Sequence, residues 1–266
     1  MRTSALNNTA SVFRSIVQSR KSCHRFQPNR DIPESTIKDI LDSTLSSPSG
    51  FNLQPTQVVL LRDIDLKKSL AQTAMLGPGN IYRAADSSAV AIFLSDLEPH
   101  KRLKRIIELE KEADVRTKQY IANLPIASTF LLGEGHIATF FKQFATHVMS
   151  PLQPMPSIDT VQSWSYKNTS LLAQTFVLSA TSHGLATCLM EGFDDRRVKE
   201  LLRIPDRYGI PLMCCLGYEY EDDTIKNKAP RLKPQEVFFG DTFGRTLDFW
   251  DRNLDKPDAN PDNKVA

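Results

Sequence analysis

The sequence has few of the features that mark secreted, metal-binding or membrane-spanning proteins. Only four cysteines occur in 266 residues, and none of them forms a C-x-x-C pair. This excludes a zinc ribbon and a disulfide framework, and it favours a reducing compartment. The histidines show no metal-ligand spacing, so we expect no bound metal. No run of about 18 apolar residues exists, so we also expect no membrane span.

Two catalytic signatures and a strong charge field are missing as well. No Gly-x-Gly-x-x-Gly follows a predicted strand, so we expect no separate Rossmann nucleotide site. No Gly-x-Ser-x-Gly occurs, which argues against a hydrolase with a nucleophile elbow. The net charge is only +2, and this does not favour nucleic acid or an anionic membrane as a partner.

Acidic residues are absent before Asp31, whereas six basic residues precede it. Such a segment resembles an organelle presequence. However, residues 12–20 read better as the first helix of the fold, which leaves only about ten residues for targeting. We therefore favour a cytoplasmic protein, with a mitochondrial location as the alternative.

Strand and helix patterns alternate irregularly along the chain. Short apolar runs predict strands at 57–61, 89–94, 185–189 and 211–217. Helical spacing and capping residues predict helices at 12–20, 33–45, 66–75, 100–122, 168–183 and 194–202. Strands scattered among helices indicate an α+β or three-layer fold.

The predicted organisation is one domain over residues 12–250, between a flexible N-terminus at 1–11 and a loose polar tail at 251–266. Residues 97–160 form an excursion from this domain, either a lid or an arm that embraces a partner. Within it, Phe140, Phe141 and Phe144 recur at helical spacing. We favour packing of this stripe on a partner over a lid role.

Two polar segments in the first half carry candidate binding residues. Arg20, Lys21, Ser22 and His24 lie together after the first helix, and such side chains can grip a phosphate. The alternative is that these residues are ordinary solvent-exposed side chains. Residues 47–55 read Ser-Pro-Ser-Gly-Phe-Asn-Leu-Gln-Pro, a loop fixed by its Pro and Gly residues. Its amides suit a planar heterocycle, and an ordinary turn is the alternative.

Two further segments lie in the second half. Glu191 and Gly192 follow a predicted strand and precede a helix, and Gly lets a flat ligand approach the backbone closely. An ordinary turn capped by Asp194 is the alternative. Lys228 and Arg231 lie past the last strand, where they either complete a phosphate clamp or are surface charges.

In this order and spacing, the four segments resemble the nitroreductase family of flavin mononucleotide (FMN) enzymes, from about residue 12 to residue 244. The closest likeness is to the oxygen-insensitive nitroreductases, and it thins over residues 97–160. The resemblance implies a three-layer α/β/α sandwich with a central, mainly antiparallel sheet. It also implies an intertwined homodimer that builds its FMN sites across the subunit interface.

The resemblance assigns roles to particular residues. Arg20, Lys21 and Ser22 would hold the FMN phosphate and the pyrimidine side of the ring. His24 stands where the family more often has Arg or Lys, so its charge at neutral pH is open. Asn80 and Arg83 would contact the isoalloxazine ring, and Glu191 and Gly192 would lie at the flavin N5 edge. Lys228 and Arg231 would bind the phosphate. The flavin of the other subunit would be contacted by Pro48, Ser49, Gly50 and Asn52.

The implied activity is transfer of hydride from NADH or NADPH to FMN, followed by reduction of a nitroaromatic or quinone by a ping-pong mechanism. The flavin performs the chemistry, and we expect no catalytic side chain. Two alternatives remain open. One is a regulatory or sequestering flavin-binding protein with little turnover. The other is a different reaction on this scaffold, such as reductive dehalogenation or flavin breakdown.

Overall fold

The computed structural model describes residues 2–114, 116–132, 136–220, 229–247 and 249. Internal contacts divide the chain into two units, Met1–Asp223 and Thr224–Ala266. The predicted tail at 251–266 lies outside the described residues, and the single domain over 12–250 stays a prediction. The first unit holds the sheet. The second contains a short helix, Pro234–Val237.

Four antiparallel strands form the sheet of the first unit. They are β1 (Thr56–Leu61), β2 (Ala89–Asp96), β3 (Ala186–Met190) and β4 (Tyr208–Gly217). Their spatial order is β1-β2-β4-β3, and each neighbouring pair is antiparallel. The two central strands are continuous apolar runs because helices cover both of their faces. The predicted antiparallel sheet is confirmed.

Helices pack on both faces of this sheet. Val90 and Ile92 belong to one hydrophobic cluster and Phe93 to the other, as the two-residue period of a strand requires. The first cluster packs against helices α3 (Ile64–Thr73), α4 (Pro78–Asp86) and α9 (Asp195–Leu202). The second packs against α2 (Glu34–Leu45) and α8 (Val161–Ser182). The predicted three-layer architecture is confirmed.

The excursion at 97–160 is mostly helical. A 3-10 turn, Pro99–Arg102, leads into α5 (Leu103–Ala113), α6 (Lys118–Leu132) and α7 (His136–Met149). The single helix predicted over 100–122 is wrong, because Asp114 adopts the left-handed conformation (φ 50°) and ends α5. The Pro-rich piece at 150–156 is irregular, as predicted.

Helices α1 (Arg2–Ser19), α3 and α8 begin earlier than predicted, and α4 was not predicted. Helix α1 begins before residue 12, in a stretch that contains neither Gly nor Pro to interrupt it. Flexibility of residues 1–11 stays a prediction. Helix α8 begins at Val161, where the Thr160 side chain accepts a hydrogen bond from Ser163 N–H at 3.1 Å. Helix α4 begins at Pro78, because proline is well accommodated in a first helical turn. None of the described helices has the length and apolar composition that a bilayer crossing requires.

Candidate functional site

The basic segment after α1 lies along the edge of the sheet. Ser22 forms a parallel bridge with Thr187 of β3, and Cys23 N–H donates to the Thr187 carbonyl at 2.8 Å. Cys23 and Phe26 are buried and anchor the segment in the core. The intervening His24 is only partly buried. The edge of the sheet therefore presents this residue from a fixed backbone.

A side-chain hydrogen bond connects this segment to α4. Arg83 Nη2 lies 2.9 Å from His24 Nδ1, and Arg83 Nη1 donates to Asn80 Oδ1 at 3.0 Å. A guanidinium can only donate, so Nδ1 must accept, and the ring proton of His24 is on Nε2. In this contact Arg83 is the donor and carries the positive charge.

The same array continues from Asn80 to the glycine of the Glu-Gly-Phe turn. Asn80 Nδ2 donates to the Leu76 carbonyl at 2.9 Å and approaches the Gly192 carbonyl oxygen at 3.3 Å. A Cβ atom on Gly192 would lie 2.3 Å from Asn80 Nδ2, closer than real contacts allow. Glycine at this position therefore leaves room for the Asn80 side chain, a reason that the sequence did not reveal.

The Glu-Gly-Phe turn is held by the chain just after α3. Leu76 N–H donates to the Gly192 carbonyl at 2.9 Å, and Asp194 N–H donates to the Ala74 carbonyl at 2.7 Å. Asp194 then caps α9, as predicted, by accepting from Arg197 N–H at 3.1 Å. Glu191 is exposed. In the described part of the chain, Gly192 N–H donates no hydrogen bond, so it is available to a ligand.

Arg83 dominates the electrostatics of this array. Its Nε atom is buried and has no hydrogen-bond partner among the described residues. Burial raises the pKa of the neighbouring Cys188 thiol, and the Arg83 charge partly offsets that rise. A buried donor without an acceptor is costly, so the array is suited to a ligand that carries acceptor atoms or negative charge.

Arg20 and Lys21 line a separate cleft of ≈ 180 Å³ between the ends of α1 and α8 and the start of β3. Lys21 Nζ lies 2.6 Å from a carboxylate oxygen of Glu219. Its charge is therefore already balanced, and an incoming anion would compete with Glu219. Arg20 is partly buried at the rim.

The predicted loop at 48–52 contacts other helices. Gly50 N–H donates to Asn168 Oδ1 of α8 at 2.7 Å, and Asn52 Nδ2 donates to Glu110 Oε1 of α5 at 2.8 Å. Ser49 Oγ accepts from Gln54 N–H at 2.9 Å, and Pro48 is exposed. These bonds fix the loop on α5 and α8, whereas the array of His24, Arg83, Asn80 and Gly192 joins α4 to the basic segment and to the turn after β3.

The predicted cations near the end of the chain belong to the second unit. Arg231 is exposed, and its Nη1 donates to the carbonyls of Ala229 and Pro230 at 3.1 Å each. Lys228 lies outside the described residues. Their predicted phosphate contacts therefore remain predictions.

Two site neighbours were not predicted from the sequence. Leu76 contributes only backbone groups, for which its side chain gives no signal. Glu110 is one of several acidic residues in a charged helix, so its type alone does not mark it. Its position four residues after Ile106 places it on the same face of the helix as that apolar residue.

Comparison with known proteins places these motifs in context. The model of the nitroreductase family matches residues 17–124 and 157–218. MhqN of Bacillus subtilis, provisionally named an NAD(P)H nitroreductase, is 28% identical over 78% of this chain and 88% of its own. An oxygen-insensitive NADPH nitroreductase of Helicobacter pylori is 24% identical over 76% of this chain and 84% of its own.

Solved structures share the architecture. The crystal structure of ydfN from Bacillus subtilis, a provisionally assigned nitroreductase, has a TM-score of 0.68 at 26% identity, over 86% of this chain and 98% of that one. A provisionally assigned nitroreductase from Exiguobacterium sibiricum, solved in complex with FMN, has a TM-score of 0.65 at 19% identity, over 85% and 95%. At that identity the second likeness concerns the fold alone.

Proposed function

Because the chain belongs to the nitroreductase family, we propose that it is an FMN-dependent oxidoreductase that reduces nitroaromatics or quinones with NADH or NADPH. The names of the relatives from Bacillus subtilis and Helicobacter pylori support an NAD(P)H-linked oxidoreductase. The FMN complex of the Exiguobacterium neighbour supports the choice of flavin. We further propose that both substrates use one pocket, from which a ping-pong order would follow, and a cytoplasmic location stays a prediction.

The hydrogen-bonded array from His24 through Arg83 and Asn80 to Gly192 carries this proposal. It joins three segments far apart in the sequence: the basic segment, α4 and the Glu-Gly-Phe turn. Arg83 Nε is a buried donor without a partner among the described residues. Gly192 N–H likewise has no acceptor there. The carbonyl oxygens and ring nitrogens of a flavin are the acceptors that such donors need.

Different residues would bind different parts of FMN. Arg83 and Asn80 would contact the isoalloxazine ring, and Gly192 N–H would donate to N5. Arg20, Lys21 and Ser22 would hold the phosphate and the pyrimidine side of the ring. FMN, when bound, supplies the electron transfer between NAD(P)H and the acceptor. The positive charge of Arg83 favours an anionic form of the ring.

A homodimer is part of the proposal. The loop at 48–52 is fixed on α5 and α8 of its own chain, and the family resemblance assigns it to the flavin of the other subunit. Phe140, Phe141 and Phe144 of α7 are more than half exposed in the single chain. An apolar surface of this kind is suited to contact with a second copy.

The visible spectrum of the purified protein tests the proposal. We expect bound FMN after reconstitution, and NADH or NADPH should bleach its absorbance under anaerobic conditions. A nitroaromatic or a quinone added afterwards should restore the absorbance. A protein that takes up no FMN contradicts the proposal. Binding of FMN without bleaching would instead indicate a flavin-binding protein with little turnover.

The Arg20→Ala variant tests the phosphate role of the basic segment. Loss of one charge-assisted hydrogen bond should weaken FMN binding by about 1.5–3 kcal/mol, measured by fluorescence of released flavin on dilution. Arg14→Ala is the matched control, because Arg14 is an exposed residue of α1. Equal retention of FMN by both variants would rule out a phosphate contact by Arg20.

A further inference from the structure

A second cavity, of ≈ 560 Å³, lies between α5 and α6. Its size is within the range of small-molecule pockets, roughly 300–1,000 Å³. Apolar atoms of Ile107, Ile121, Ala122 and Pro125 line it, together with Glu110. None of the residues proposed to bind FMN lines this cavity, and the loop at 48–52 approaches it only through the hydrogen bond of Asn52 with Glu110.

Glu110 is the polar group of this cavity. Its side chain is only 4% exposed, and Asn52 Nδ2 donates to its Oε1 atom at 2.8 Å. Its Oε2 atom has no hydrogen-bond partner in the described part of the chain. Arg116 Nε lies 3.5 Å from this atom, beyond the usual hydrogen-bond distance. The carboxylate is thus oriented by Asn52 and retains an oxygen that can accept a hydrogen bond.

Pro125 lies in α6 beside the cavity. Proline has no N–H, so within α6 it cannot donate to the carbonyl four residues earlier, which belongs to Ile121. Ile121 and Pro125 both line the cavity. The side chains of both residues add apolar surface to the wall.

The charges around the cavity restrict the ligand. Lys111, Arg116 and Lys118 line it alongside the carboxylates of Glu110 and Asp114, so cations outnumber anions by one. Arg116 already lies near the carboxylate of Glu110. An ammonium group would gain little here and would be repelled by three cations. A neutral hydroxyl donor can approach Glu110 without that repulsion, while a ring fills the apolar part.

We propose that the cavity between α5 and α6 binds a neutral phenol, whose ring packs against Ile107, Ile121 and Pro125 and whose hydroxyl donates to Glu110 Oε2. This binding requires neither FMN nor turnover. It can therefore fail or succeed independently of the proposed function.

Titration of the full-length protein with 4-methylphenol and 4-methylanisole tests the proposal by calorimetry or ligand-observed NMR. The two probes share ring and methyl group, but only the phenol has a hydroxyl donor. We expect saturable binding of the phenol, and binding of the anisole at least about tenfold weaker, as loss of a hydrogen bond to a charged group implies. Equal affinities, tighter binding of 4-methylbenzylamine, or no saturable binding of the phenol would each overturn the proposal.

Two variants place the phenol in this cavity. Glu110→Gln retains an amide oxygen for Asn52 but presents an N–H₂ group in place of Oε2, so phenol affinity should fall about tenfold or more. Glu108→Gln changes an exposed side chain of the same helix and should leave the affinity unchanged. Ala122→Trp, at an exposed position of the rim, should block binding even if Glu110→Gln impairs folding. Unchanged affinity in both Glu110→Gln and Ala122→Trp would place the phenol elsewhere and overturn the proposal.

Discussion

Gly192 lies in the candidate site, and its lack of a side chain affects the packing there. Its missing Cβ leaves room for Asn80 Nδ2, which would be 2.3 Å away. We expect Gly192→Ala to lower the free energy of unfolding by about 1–3 kcal/mol, as overpacking does. The measurement is urea unfolding followed by circular dichroism.

The double variant Asn80→Ala/Gly192→Ala is the control for this steric explanation. Removing the Asn80 side chain removes the clash, so the double variant should be clearly more stable than the sum of the two single effects predicts. Additive losses would show that the cost of Gly192→Ala has another origin.

Lys67 is a buried lysine on α3, and its titration should be visible in the stability of the protein. It is 5% exposed, and its ammonium donates to the Ser87 carbonyl. Burial lowers its pKa below the usual 10.5, although Cys215, Asp31 and Asp86 act in the opposite direction. Between the lowered pKa and 10.5, the unfolded chain binds more protons than the folded chain. The free energy of unfolding contributed by Lys67 therefore rises with pH across this window.

Comparison of the wild type with Lys67→Met isolates this contribution. We expect the urea midpoint of the wild type to improve relative to the variant as the pH rises from neutral toward 10.5. Other titrating groups are common to both proteins and cancel in the difference. A difference in midpoint that does not change with pH would show that Lys67 titrates equally in the folded and unfolded chains.

Three elements meet at Asp96, the last residue of β2. Its carboxylate is fully buried and accepts from Arg207 at the N-terminal side of β4, while Arg102 Nε lies 3.2 Å away before α5. Asp96→Asn would leave two guanidinium groups facing a neutral amide. We expect a loss of about 3 kcal/mol, toward the low end for a broken buried pair because both arginines are partly exposed.

The exposed pair of Glu200 and Arg196 on α9 provides the control for Asp96. Both side chains are more than 60% exposed, so Glu200→Gln should cost less than about 1 kcal/mol. Urea unfolding of the two variants at one pH gives the comparison. Similar losses would mean that burial of Asp96 does not increase its contribution.

Some elements could be predicted from the sequence because their signals are local. The β-strand period predicted that Cys214 and Cys215 face opposite sides of the sheet, and they lie in different hydrophobic clusters. Asp194 was predicted to cap a helix and does so. Helix α4 was not predicted, because Gly77, Pro78 and Gly79 read as breakers although proline is favourable at a helix start.

The candidate site depended on longer-range packing. Four motifs in order predicted which segments belong together, and the family match confirmed that resemblance. The contact of Asn80 with Gly192 joins residues 112 positions apart, and no local pattern encodes it. Glu110 was missed for the same reason, since its partner Asn52 lies 58 residues away.

At the scale of the whole molecule, the proposed site requires residues from two chains. Arg20 and Arg83 would belong to one subunit and Asn52 to its partner. A chain carrying Arg83→Ala and a chain carrying Asn52→Ala should each lose most activity as homodimers. In a symmetric mixed dimer, one of the two sites combines the unchanged Arg83 of one chain with the unchanged Asn52 of the other.

Random mixing of these two variants, by unfolding and refolding them together, should therefore make about one quarter of all sites intact. The readout is NAD(P)H-dependent nitroaromatic reduction at equal total protein, with each variant refolded alone as the control. If Arg83 and Asn52 served a site within one chain, every chain in the mixture would carry one defect and no activity would return. Recovery near one quarter requires a dimer whose site is built from both chains. Each chain in the mixture carries one of the two substitutions, so a site within a single chain is never intact.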